Sequence, residues 1–172
     1  MRRRTLLTAG AAGGTLLAIG GVALVAGRDP LADRERVMAA VVPAILEGAL
    51  PESAPDRAKA VRRCIDGVGM AVAALPPASR RELDRLFALL ASPPGRRLLA
   101  GVRVDWPQAP QAEVSAFLED WRLHRLALLR AGYAALHDLV LGSWYADAAA
   151  WSAIGYGGPL ALVSEPSRGD PR

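Results

Sequence analysis

Two histidines, one cysteine and a glycine pair are the residues on which chemistry could rest in this chain of 172. Metal or acid–base work would need the histidines together. His124 and His137 are 13 residues apart, which on a straight helix is about 20 Å and a different face, so a shared metal is not expected. His137-Asp138 suggests an acid–base pair, but adjacent residues of a helix do not face each other. Cys64 is the sole cysteine, which excludes an internal disulfide and a Cys-x-x-Cys-His haem attachment. It sits in an arginine-flanked amphipathic stretch and reads as a small apolar core residue, with pairing between chains as the alternative. Gly67-Val68-Gly69 opens like a dinucleotide fingerprint. It has no preceding strand and no third glycine, and it falls within a helical pattern. Serines and acids form no nucleophile–base arrangement. Neither a catalytic site nor a cofactor site is expected in this chain.

The residues that do stand out are aromatic. Trp144, Tyr145, Trp151 and Tyr156 fall within 13 residues, in a chain with 5% aromatics. Asp147 and the turn Gly155-Tyr156-Gly157-Gly158-Pro159 lie among them. Aromatic rings tipped with N–H or O–H, beside glycine and proline, suit a rigid surface that docks on another protein. The candidate interface is Trp144, Tyr145, Asp147, Trp151, Tyr156 and Pro159. The alternative is a lid folded back on the chain's own helices, and one segment can serve both ends.

The N-terminus carries an address. Arg3-Arg4-Thr5-Leu6-Leu7 precedes an uncharged Ala/Gly/Leu run that reaches Gly27. Paired arginines before a weakly hydrophobic stretch mark the twin-arginine export route, which moves folded proteins. Gly10, Gly13, Gly14, Gly20 and Gly21 dilute the run and favour that route over an ordinary secretory signal. Arg3, Arg4, Leu6 and Leu7 are the export residues, the twin-arginine translocase the expected first partner, and the periplasm the destination. Val25-Ala26-Gly27 offers small residues for cleavage. The 23 residues from Thr5 to Gly27 could equally span about 30 Å of hydrocarbon as a retained anchor.

Charge excludes one class of partner. The formal net charge is +4, but Arg2, Arg3 and Arg4 contribute three of the 21 basic residues and no acid precedes Asp29. Beyond residue 27 the balance is 18 basic against 17 acidic. Such a nearly neutral domain, with its charges dispersed, offers no phosphate-tracking stripe, so no nucleic acid is expected.

Residues 28–163 read as helix throughout, an all-α domain of about four to six helices after the leader, with 164–172 a disordered tail. Asp29-Pro30 reads as an N-cap and first helical position. Val37, Val41 and Ile45 share a face, and Pro43 is expected to kink or divide that helix. Asp56 is placed to cap a second helix with Ala60, Val61, Ile65, Val68 and Val72 inside. Ser79 and Glu82 spell a capping box for a third, carrying Leu83, Leu86, Phe87 and Leu90. Ser92-Pro93-Pro94-Gly95 stops it. A short turn from Arg96 to Ala100 leads into an irregular segment with Asp105-Trp106-Pro107. From Gln111 the pattern Val114, Phe117, Leu118, Trp121, Leu128, Tyr133, Leu136, Val140 and Trp144 is helical with one gap, and Gly132 is the expected bend.

With leader and tail in view, the chain resembles the small (gamma) subunit of periplasmic flavin-dependent dehydrogenases, the gluconate dehydrogenase subunit 3-like family. The likeness rests on Trp144-Tyr145, Asp147-Ala148, Trp151 and the Gly155–Pro159 turn, with Ala148 and Gly157 standing where the pattern has prolines. Leu75 to Leu90, Trp106 and Glu113 to Arg130 also fit. The resemblance implies a non-catalytic subunit that binds, helps mature and exports an FAD-dependent alcohol or sugar dehydrogenase. It places FAD in the partner, which passes electrons to a cytochrome or quinone, with a cytochrome subunit as one candidate further member of the complex. The alternative is a free-standing, membrane-anchored helical protein of the periplasm, structural or ligand-binding.

Overall fold

Asp29 opens the first helix as its sequence position suggests: its carboxylate accepts from the Leu31 N–H at 2.9 Å, with Pro30 at the first position. The computed structural model describes residues 28–148. They form α1 (Pro30–Ile45), α2 (Ala54–Ala73), α3 (Pro77–Ala91), α4 (Pro93–Leu99), a 3-10 turn (Trp106–Gln108), α5 (Gln111–Leu123) and α6 (Ala127–Ala146). Among the described residues there is no strand, and the domain is all-α.

Helix α1 is the hub, packed against α2, α3, α5, α6 and the 3-10 turn. Val37, Met38, Val41 and Val42 are fully buried. The helix runs unbroken through Pro43 and ends at Ile45. Pro43 withholds the N–H that would bond the Ala39 carbonyl, but so near the C-terminus it removes that one bond and does not divide the helix.

Two expected caps give way to proline and serine positions nearby. Ser53, not Asp56, stands at the N-cap of α2, and Asp56 lies in the first turn, where a carboxylate faces the positive helix end. The Ser79–Glu82 box does not form, because Pro77, its φ already helical, starts α3 two residues earlier and puts Ser79 inside the helix. Arg80 instead donates from Nη2 to the Ala73 and Leu75 carbonyls at 2.6 and 3.2 Å, closing the end of α2.

Ser92 does double duty between α3 and α4. Its hydroxyl donates to Leu89 O at 2.7 Å and accepts from the Gly95 N–H at 3.1 Å. Beyond α4, Trp106 is buried and donates from Nε1 to Leu90 O at 2.8 Å. Its ring meets Phe117 at 5.8 Å, and Phe117 meets Trp121 edge-on at 4.8 Å. Trp121 then donates from Nε1 to Leu99 O at 2.9 Å. This aromatic row ties α3, α4 and α5 into one core.

The break in the long C-terminal pattern falls at 124–126, not at Gly132. His124 and Leu126 take extended dihedrals, and the His124 Nδ1 accepts from the Leu126 N–H at 3.1 Å. Gly132 sits inside α6 against the Trp121 indole.

Candidate partner interface

The residues that could have done chemistry serve the fold. His124 supports the α5–α6 corner, and His137 lies 5.4 Å from the Tyr133 ring. Its Nδ1 does approach Asp138 Oδ1, at 3.6 Å, a flanking contact beyond hydrogen-bond length on an exposed surface. Cys64 is a free, buried core thiol whose Sγ donates weakly to Val140 O at 3.7 Å. Burial, with a smaller contribution from the Asp147 charge, pushes its pKa up to about 11, which keeps it protonated and a poor nucleophile. Gly67-Val68-Gly69 is mid-helix in α2, its amides committed to the helix ladder. Among the described residues no group of three His, Cys, Asp or Glu side chains could hold a metal ion.

The aromatic pair at the end of α6 divides. Trp144 is 4% exposed and belongs to the core, whereas Tyr145 is 51% exposed. As an interface residue Trp144 is displaced inward by the 3.6-residue period: it continues the buried stripe of Leu136 and Val140, and its neighbour turns outward. Asp147 leaves helical geometry and accepts from Arg63 Nε at 2.9 Å. Trp151, Tyr156 and Pro159 lie outside the described residues, as do Arg3, Arg4, Leu6 and Leu7.

Helices α2 and α6 pack along a seam that reaches the end of α6. Arg63 meets Asp147, and one turn further on Gly67 meets Ser143, where a glycine Cβ would lie 3.1 Å from the serine Cβ. The two pairs run in opposite order along the helices, so α2 and α6 are antiparallel here. Met70 continues the Arg63–Gly67 stripe on α2 and is exposed.

Two arginines inside the fold were not singled out by the sequence reading. Arg96 is buried and paired with Asp105 at 2.7 Å, with Arg36 adding a longer contact at 3.8 Å. Arg34 is buried on α1. A signal for Arg34 did exist: it falls on the apolar stripe itself, three and four residues before Val37 and Met38. Where α1 begins, Arg28 clasps Asp33 with two 2.7 Å bonds, beside a shallow pocket of about 170 Å³ also lined by Arg81, Asp84 and Arg85.

The fold and this surface define a small all-helical domain with a mixed aromatic and charged end. Comparison with protein-family models, curated proteins and solved structures finds no match for the chain. Among the described residues no helix is long and apolar enough to cross a membrane.

Proposed function

We propose that this chain is the accessory small subunit of an FAD-dependent alcohol or sugar dehydrogenase. It binds the flavoprotein, helps it mature and lends it a twin-arginine leader for export to the periplasm. Catalysis and FAD belong to the partner, which passes its electrons to a cytochrome or a quinone. The observation that carries this reading is the pairing of two features in one chain. Arg3-Arg4 heads a leader of the folded-export type, and the aromatic Trp144–Pro159 stretch begins with an exposed Tyr145 beside an anchored Asp147. An address that demands prior folding, on a helical domain with an interface-like end, suits a subunit that escorts another protein.

The test is a pull-down of tagged full-length chain from its own cells, with mass spectrometry and a flavin spectrum on the eluate. The expected eluate is yellow and contains a large flavoprotein lacking an export signal of its own. A colourless, solitary chain overturns the proposal in favour of a free-standing anchored protein. Within a complex, Trp151→Ala weakens binding without unfolding the domain.

A further inference from the structure

Helix α1 places an arginine on the stripe that elsewhere holds Val37, Met38 and Val41. Arg34 is 9% exposed, and its Nη2 lies 3.6 Å from where a Cβ on Gly69 of α2 would stand. Among the described residues nothing accepts a hydrogen bond from its side chain and no acid pairs with it. Acids close to it in sequence and across the α1–α2 seam are engaged elsewhere. Glu35 pairs with Arg62 at 3.2 Å, Asp66 with Arg62 at 3.1 Å, and Asp33 takes both bonds from Arg28 at 2.7 Å. Arg96, which is as deeply buried, has its own aspartate at 2.7 Å. Arg34 does not.

Covering a guanidinium without a counter-charge weakens the isolated fold. The Arg34 nitrogens are nonetheless not sealed: the fully buried, unpartnered side-chain atoms among the described residues are Arg96 Nε and Ser143 Oγ. The side chain is nine-tenths covered, yet its nitrogens keep some exposure beside Gly69 of α2. Leu31, one turn earlier on α1, is 60% exposed, and Met70, next to Gly69 on α2, is 72% exposed. A covered cation with large apolar side chains on both helices is how interface hot spots are built, the apolar rim keeping water from the charge pair.

We propose that Arg34 is the anchor of the docking face and receives an aspartate or glutamate side chain of the docked protein. The inference rests on the accessory-subunit reading above. A carboxylate matches the planar guanidinium fork and accepts two parallel bonds from it. A protein side chain is favoured over a free anion because only a protein also covers Leu31 and Met70.

The test compares tagged full-length chains carrying the wild-type sequence, Arg34→Met, Arg34→Gln or Arg34→Lys. Dissociation of the flavoprotein complex is measured at low and high salt, with the thermal midpoint of each isolated chain. Arg34→Met and Arg34→Gln are expected to weaken the complex by about tenfold or more and to flatten its salt dependence. Arg34→Lys keeps part of the affinity, and the midpoint of the isolated Arg34→Met chain is unchanged or raised. A complex that forms with equal affinity in wild type and Arg34→Met overturns the inference and leaves the accessory-subunit reading standing. Lowered midpoints in all three variants make Arg34 a structural residue and also overturn it. Stabilisation of the wild-type chain by inorganic phosphate, absent in Arg34→Met and with complex affinity unchanged, makes it a free-anion site instead. A wild-type chain that brings down no flavoprotein overturns both readings together.

Discussion

Gly132 of α6 and Trp121 of α5 meet with no room between them for a methyl group: a Cβ on Gly132 would lie 2.6 Å from the indole Cζ3. The contact closes the aromatic row of Trp106, Phe117 and Trp121 against α6. Gly132→Ala gains about 1 kcal/mol of helix propensity, but overpacking costs about 1–3 kcal/mol. The expected outcome is a lower denaturation midpoint at unchanged helicity. A raised midpoint would show that the indole simply moves aside.

Ser92 holds two helix ends with one hydroxyl, so its loss is felt twice. Ser92→Ala removes the cap of α4 and the bond to Leu89 O, and is expected to cost about 1–2 kcal/mol in urea unfolding. Ser92→Thr keeps the hydroxyl and should recover most of that. A neutral Ser92→Ala would mean that water replaces both bonds.

The Cys64 thiol makes stability fall in alkali. Its folded pKa of about 11 exceeds the unfolded value of 9.0. Above the unfolded value the unfolded chain releases a proton that the folded chain retains. Stability is therefore full below pH 9 and declines towards pH 11 by up to about 1.4 kcal/mol per pH unit. Cys64→Ala should flatten that part of the pH profile. The native thiol should also resist alkylation at pH 8 until denaturant is added.

The two members of the aromatic pair should respond to truncation in opposite ways. Trp144→Ala opens the core and is expected to cost about 3–5 kcal/mol. Tyr145→Ala trims a half-exposed side chain, so its cost in stability should be well below that of Trp144→Ala while the complex weakens. Equal complex affinity for wild type and Tyr145→Ala would remove Tyr145 from the interface.

The leader makes a prediction of its own. Replacing Arg3 and Arg4 together by lysine should leave the domain folded yet block its export, since the twin-arginine route reads the guanidinium pair. A secretory route needs only positive charge and would carry the variant unchanged. Cell fractionation separates the two.

How much of this was legible before the structure depends on the range of the interaction. Asp29-Pro30, the buried faces of α2 and α3, and the helical content follow from neighbouring side chains and the 3.6-residue period, which sequence displays directly. The start of α3 misled because Pro77 outranks Ser79 as an initiator, and both signals are present in the sequence. The division between α5 and α6 was misplaced onto Gly132, since glycine weakens a helix and also admits a close neighbour, and only the neighbour says which.

The linear order of residues by itself determined an all-helical domain whose sole cysteine and separated histidines form no reactive cluster. Local propensity, periodicity and charge suffice for that. Only the tertiary structure decided that Trp144 turns inward while Tyr145 turns outward, that Asp147 reaches Arg63, and that Arg34 is covered with no acid paired to it among the described residues. These are contacts and absences of contact between residues up to 84 positions apart. Burial and charge pairing at that range are set by how the helices pack, and no window along the chain contains them.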